Sequence, residues 1–399
     1  MKIEKIGALE ILDSRGNPTL RVHLQAGGLE FVAGVPSGAS TGKFEAVELR
    51  DKEERMGGKG VRKAIKKIED VISPALEGVS VKKQKKIDEI MLDLDGTENK
   101  SNLGANSILG VSIAACKASA FLSEFPLYER ISGLSGFESG LPRPLFNVVN
   151  GGSHTGGGVD FQEFMISPNE KSFADNYFRA AEIYHHLGKA LKKKNPSWVN
   201  IGDEGGYVPE LETPAEVLSI IADIEEVDIV LDVAATEFFT DGKYKTKMGE
   251  MKKDQLIDYY KKLVADYRII AIEDPLEEKD FVGWAELKKE LPETLIVGDD
   301  LLVTNPRRMK EAIKEDSCNA MILKVNQIGT ISESIEAAEL AKKNDWKIIV
   351  SHRSGETTDS FIADFAVGIG AQFIKSGAPA RGERVVKYNR LLEIEKELS

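Results

Sequence analysis

Three acids, a histidine and two lysines punctuate the second half of the chain, each at the end of a short apolar run. Asp232 follows IVL, Glu273 follows IAI, Asp299 follows IVG, Lys324 follows MIL, His352 follows IIVS and Lys375 follows FI. Asp232, Glu273 and Asp299, brought to one place, repel each other unless a cation sits among them. All-oxygen ligation, with no cysteine and no clustered histidine, favours a hard cation, Mg²⁺ or Mn²⁺, over zinc. Any one of the three alone reads as a solvated strand-end acid paired with a lysine; three in consecutive units point to a metal. A lysine beside a cation in a closed site has its ammonium form disfavoured, and so becomes a base. Lys324 and Lys375 are the candidates. Metal-bound carboxylates with strand-end lysines suit abstraction of a proton beside a carboxylate, the metal holding the resulting enediolate.

Other residues complete such a reaction. Glu204, flanked by glycines in GDEGG, suits a general acid that must approach a leaving hydroxyl, and Glu163 in QEFMI is a second acid. Arg353 and Ser354 in SHRSGE offer a forked donor and a hydroxyl for a phosphate. His154, within GGSHTGGG, has no apolar pattern around it and favours an active-site role, whereas His23, His185 and His186 lie in strand or helix patterns as structural or surface residues. SGASTGKF, at 37–44, mimics a nucleotide-binding P-loop. Only three residues separate Gly38 from Gly42-Lys43 where four are required, and Phe44 stands where Ser or Thr belongs. The stretch reads instead as a Ser/Gly-rich lid.

The elements that position these residues fall into two blocks. KIGALEIL, TLRVHLQ and LEFVAGVP are strand-like, with Gly27-Gly28 as a turn signal between the last two. GVRKAIKKIEDVISPAL and GANSILGVSIAACKASAFLSE then carry helical spacing. Strands followed by helices predict a smaller α+β domain over residues 1–131. SGLSGFESGLPRP, at 132–144, reads as a linker. From 145 to 399 eight short apolar runs recur: PLFNVVN, VDFQEFMI, VDIVLDV, RIIAIED, TLIVGDD, AMILKVN, KIIVSHR and AQFIKSG. Most landmark residues are spaced about 25 apart, one strand-plus-helix unit each, and eight such strands close a (β/α)₈ barrel whose catalytic groups sit at the strand C-termini. The first two runs are too close for an intervening helix and predict a hairpin. Helical stretches at 175–194 and 214–226 follow, with GDEGG in the loop between them, so the barrel opens irregularly, ββαα.

Bulk properties narrow the function classes. The 399 residues carry 53 basic and 65 acidic side chains, a net charge of −12. That opposes nucleic acid or an anionic membrane as the main partner. No apolar run approaches the roughly 20 residues that span a bilayer. Two cysteines far apart in sequence and the absence of a secretion signal predict a reducing cytoplasm.

The chain resembles the enolase family in a dozen colinear motifs. These are LDSRGNPT at 12–19, VPSGASTG at 35–42, GANSILGVS at 104–112, NGGSH at 150–154, QEFMI at 162–166 and GDEGG at 202–206. They continue through LDVAATEF at 231–238, IEDP at 272–275, GDDLLVTNP at 298–306, LKVNQIGT at 323–330, SHRSGET at 351–357 and KSGAPARGER at 375–384. The resemblance implies a glycolytic and gluconeogenic hydro-lyase, phosphopyruvate hydratase, interconverting 2-phosphoglycerate and phosphoenolpyruvate through an enediolate with two Mg²⁺ per site. It implies a first Mg²⁺ on Asp232, Glu273 and Asp299, and Ser40 helping to hold a second. Lys324 would take the carbon-2 proton and Glu204 protonate the leaving hydroxyl, supported by Glu163. Lys375 would steady the substrate carboxylate and Arg353 and Ser354 the phosphate, with His154, Gln162 and His352 completing the site. A homodimer or octamer is implied. The alternative is an acid-sugar dehydratase or racemase of the same superfamily, which shares the metal acids and lacks the phosphate site.

Overall fold

The computed structural model describes residues 1–38, 44–152, 158–194 and 200–399. Strands β1 (Ile3–Leu12), β2 (Pro18–Ala26) and β3 (Leu29–Gly34) form an antiparallel sheet in sequence order. Gly27 and Gly28 alone join β2 to β3, with φ of 63° and 74°. A two-residue hairpin turn with positive φ at both positions matches the strand twist and selects glycine. On β2, Leu20, Val22, Leu24 and Ala26 alternate inward and are fully buried. Helix α1 (Arg62–Lys67) continues through a π-helical segment, Ile68–Ile72, into α2 (Ser73–Leu76); α3 (Gln84–Asp95), α4 (Ala105–Phe121) and α5 (Leu127–Ser135) follow. Nearly all of α4 is buried, because it packs on β2 and β3 and also meets the second block of the chain. The stretch read as a linker, 132–144, is shorter in the structure. Its first residues form the last turn of α5, and its last two begin a strand.

The second block comprises β4 (Arg143–Asn150), β5 (Glu163–Ser167), α6 (Phe173–Lys194), β6 (Asn200–Ile201), β7 (Tyr207–Val208), α7 (Pro214–Ile224) and β8 (Asp228–Asp232). A small antiparallel sheet, β9 (Phe239–Thr240), β10 (Lys243–Thr246) and β11 (Gly249–Met251), is inserted before α8 (Lys253–Asp266). Then strands and helices alternate: β12 (Ile269–Glu273), α9 (Phe281–Glu290), β13 (Leu295–Gly298), α10 (Pro306–Lys314), β14 (Ala320–Leu323), α11 (Val325–Ile328), α12 (Ile331–Lys343), β15 (Lys347–Ser351), α13 (Phe361–Gly368), β16 (Phe373–Lys375) and α14 (Gly382–Leu398). Eight strands close a ring in the order β4, β5, β8, β12, β13, β14, β15, β16, with β16 pairing back onto β4. Only β5 runs against its ring neighbours. The fold is thus an α/β barrel with the ββαα opening expected, preceded by an α+β domain.

Helix starts follow sequence signals. Thr213 and Glu216 form a reciprocal capping box ahead of Pro214, Asn305 caps α10 ahead of Pro306, and Thr330 caps α12. GDEGG is not an open loop: it is the turn of the β6–β7 hairpin, and β7 pairs with Val149 at the end of β4. Among the described residues no helix is long and apolar enough to cross a membrane.

Candidate active site

Side chains on a strand alternate faces with a period of two. Leu145, Met165, Val230, Ala271, Val297, Ile322 and Ile349 share the apolar cluster that fills the barrel. Two residues further on, the same inward face presents Asn147, Asp232, Glu273, Asp299, Lys324 and Ser351. On β5 the count runs backwards. Because that strand is antiparallel, Glu163 at its start, two before Met165, lies beside Asp232. The parity that packs the core therefore carries the polar residues to one mouth, lined by Gln162, Glu163, Glu204, Asp232, Asp299, Lys324, His352, Arg353, Ser354 and Lys375 among others.

Lys375 Nζ stands at the centre of an acidic group, 3.2 Å from Glu163, 3.0 Å from Asp232 and 2.9 Å from Glu273. Lys324 pairs with Asp299. Burial raises Glu273 and Glu163 well above the usual carboxylate range, reinforced by neighbouring acids and opposed by Lys375. Burial also pushes Asp299 up, but Lys324 outweighs it and the net direction is down. Both lysines face carboxylates. Burial pulls both ammonium groups down, yet the facing carboxylates outweigh it: Lys324 is raised, and Lys375 well raised. Oxygen donors alone, already gathered around one ammonium, fit a divalent cation as the alternative counter-charge.

Asp274, Asp299 and Asp300 bring ligand oxygens within 4.8 Å of one another. Asp274, with φ of 44°, accepts the backbone N–H groups of Asp299 and Asp300 at 3.0 and 2.7 Å, fixing the turn that presents Asp299. Burial beside Asp299 pushes Asp300 up to about 7.

Lys324, directly after β14, and Glu163 on β5 lie four strands apart in a ring of eight, on opposite sides of the mouth. Glu204 joins Glu163 on the second side. A hydrogen bond with Glu204 adds to the forces that raise Glu163. Asn147 Nδ2 donates to Glu204 Oε2 at 3.2 Å, and His352 Nε2 lies 3.2 Å from the same oxygen. Gln162 Nε2 donates to Asp232 at 3.2 Å.

The N-terminal domain closes the third side. Arg353, buried, reaches Glu45 at 3.1 Å and Asn326 at 2.9 Å, while Gln327 bridges Glu45 and Asp299. Ser37 and Gly355 exchange backbone hydrogen bonds at 2.7 and 2.9 Å, and Ser37 Oγ donates to Asp13 at 2.6 Å. A Cβ on Gly355 would meet Asp13 at 2.5 Å and Ser37 at 2.6 Å, so only glycine admits this approach of the two domains.

Two family models account for nearly the whole chain: "Enolase, N-terminal domain" matches residues 3–131 and "Enolase, C-terminal TIM barrel domain" matches 138–399. The chain is similar to proteins named Enolase from Methanothrix thermoacetophila (50% identity, 100% of this chain and 96% of the relative), Methanocaldococcus jannaschii (47%, 100% and 96%) and Methanococcus maripaludis (49%, 99% and 95%). The chain belongs to the enolase family. Membership makes it a lyase, a phosphopyruvate hydratase acting on a small molecule, in a metal-dependent family.

Of the enolase site residues expected from sequence, ten line the mouth and Glu273 meets Lys375 behind it at 2.9 Å, while Ser40 and His154, with most of the lid at 37–44, lie outside the described residues. Sequence reasoning missed Glu45, Asn147, Asp274, Asp300, Asn326, Gln327 and Arg384. Several stand inside quoted motifs: Asp274 in IEDP, Asp300 in GDD, Asn326 and Gln327 in KVNQIG, Arg384 in GER. Asn147 carried a parity signal, two residues beyond Leu145 on an inward face. Glu45 carried no periodic signal.

Proposed function

We propose that this enolase-family chain dehydrates 2-phosphoglycerate reversibly to phosphoenolpyruvate by a base and an acid that face each other across the barrel mouth. Lys324, which would become a neutral amine if a divalent cation took Asp299 from it, takes the carbon-2 proton and leaves an enediolate. Glu204, paired with Glu163, gives its proton to the carbon-3 hydroxyl, which departs as water as the double bond forms. Lys375 holds the substrate carboxylate; Arg353 and Ser354 hold the phosphate; Gln162, His154 and His352 complete the enclosure. Asp232, Glu273 and Asp299 would hold one Mg²⁺ and Ser40 would help to hold a second, and these ions would supply the positive charge that an enediolate requires. The carrying observation is the opposition of Lys324 at the end of β14 to the Glu163–Glu204 pair beside β5.

The two buried free cysteines suit a reducing cytoplasm, and the assembly is a homodimer or octamer. The division into domains at 1–131 and 145–399 is part of the same proposal, supported by the change from an α+β block to a barrel between α5 and β4. Absorbance of phosphoenolpyruvate, followed with purified protein and 2-phosphoglycerate, tests the activity: it rises with Mg²⁺ and stops with chelator. No rise at saturating metal overturns the reading.

A further inference from the structure

Arg384 opens α14, is fully buried and belongs to no role assigned above. Its four terminal hydrogens meet four acceptors. Nη1 lies 2.7 Å from His352 Nδ1 and 2.7 Å from the Arg353 carbonyl oxygen. Nη2 lies 2.6 Å from the Ser354 carbonyl oxygen and 3.0 Å from that of Asp203, with Ser14 Oγ further away at 3.4 Å. Nε faces Glu383 at 3.3 Å. One side chain thereby ties the hairpin bearing Glu204 to the loop bearing Arg353 and Ser354.

A guanidinium has donors only and keeps its protons in a protein. The Arg384 N–H that points at His352 Nδ1 therefore obliges that nitrogen to accept, and a neutral imidazole then carries its proton on the other nitrogen. That nitrogen, Nε2, is the one 3.2 Å from Glu204 Oε2. It makes no aligned hydrogen bond there, as is common in catalytic groups before substrate tightens them. Burial holds His352 down to about 4, so the ring stays neutral near pH 7.

We propose that Arg384 is a positioning residue for the acid step, fixing His352 as the Nε2–H tautomer so that the ring donates to Glu204 while the Asp203 carbonyl anchors the hairpin. The proposal rests on Glu204 being the acid. When Glu204 passes its proton to the departing hydroxyl, an N–H already aimed at its oxygen stabilises the carboxylate left behind.

The decisive measurement is read on the wild-type protein. Nitrogen NMR of histidine-labelled wild-type protein, with His352 assigned by its loss in His352→Gln, should show a protonated Nε2 and a bare Nδ1 at pH 7. A protonated Nδ1, or an imidazolium, overturns the proposal. Two variants then test the consequence. Arg384→Lys keeps a donor and should keep the tautomer. Arg384→Met should lose it, with kcat for dehydration falling about 10- to 100-fold, the usual scale for groups that orient a functional side chain, and carbon-2 proton exchange staying within about threefold. Equal loss of exchange and dehydration in Arg384→Met would mark a merely structural role and also overturn the proposal. Retained dehydration in Glu204→Gln would instead defeat the reading of Glu204 as acid, while leaving the tautomer result standing.

Discussion

The ammonium of Lys375 stands 2.9 Å from a carboxylate oxygen of Glu273 and, from the same position, 3.0 Å from Asp232. One buried cation thus neutralises acids on two adjacent strands. Removing one partner of a buried ion pair costs about 3–5 kcal/mol, because the other charge is left without compensation. Lys375→Met should lose that stability in metal-free buffer and regain part of it when a divalent cation takes the vacated place. Thermal melts with and without Mg²⁺ check this: the Mg²⁺-induced rise should exceed the wild-type rise by at least about 2 °C. Equal rises would mean that metal does not reach these acids.

Lys324 and the Glu163–Glu204 pair occupy opposite sides of the ring, so proton abstraction and hydroxyl protonation should separate by mutation. Lys324→Ala should abolish exchange of the carbon-2 proton with solvent. Glu204→Gln should retain exchange while dehydration falls by about 10²–10⁴, the range supplied by a positioned acid or base. Proton NMR of the substrate in heavy water and the absorbance assay report the two steps separately. Equal loss of exchange in both variants, with substrate still bound, would refute the division.

Asp299 offers one oxygen to Lys324 and the other to Gln327 Nε2, at 3.1 Å. In Asp299→Asn the amide oxygen can keep the Gln327 bond, and Lys324, losing its partner, can shed its proton. Folding should therefore change little, by about 1 kcal/mol, while Mg²⁺ affinity drops by at least about tenfold. Calorimetric titration beside a urea melt tests the order of effects. Unchanged affinity would remove Asp299 from the metal site.

Periodicity made most of this architecture readable. The barrel was legible because runs such as IVLD and MILK put apolar and polar residues on one inward face, and because caps such as Thr213 with Glu216 leave local marks. Glu163 was harder to place, since its strand runs backwards and its landmark comes first. Other features depend on pairings that no local pattern encodes. Glu45 reaches Arg353 across 308 positions and Arg384 meets His352 across 32, both through burial. The sheet at 239–251 escaped notice because KYKTK is charged and short.

Asp88 joins the two domains away from the chemistry, and its titration should be visible in stability. It is buried on α3 and accepts from Gln84 and from both the backbone N–H and Oγ of Ser332 on α12. Burial raises it to about 6, with the Ser332, Ser112 and Gln84 contacts pulling the other way. A carboxyl with a raised folded pKa holds a proton that the unfolded chain has released, so its contribution to stability falls as pH rises from about 4 to about 6. Two pKa units correspond to about 3 kcal/mol. Asp88→Asn should remove that decline, since the neutral amide still offers Ser332 an oxygen and Gln84 can turn its own amide to match. Denaturant melts at pH 4.5 and 7.5 measure it: the stability difference attributable to the wild-type carboxyl should vanish in the variant. If both proteins lose stability equally between these pH values, Asp88 is not the titrating group.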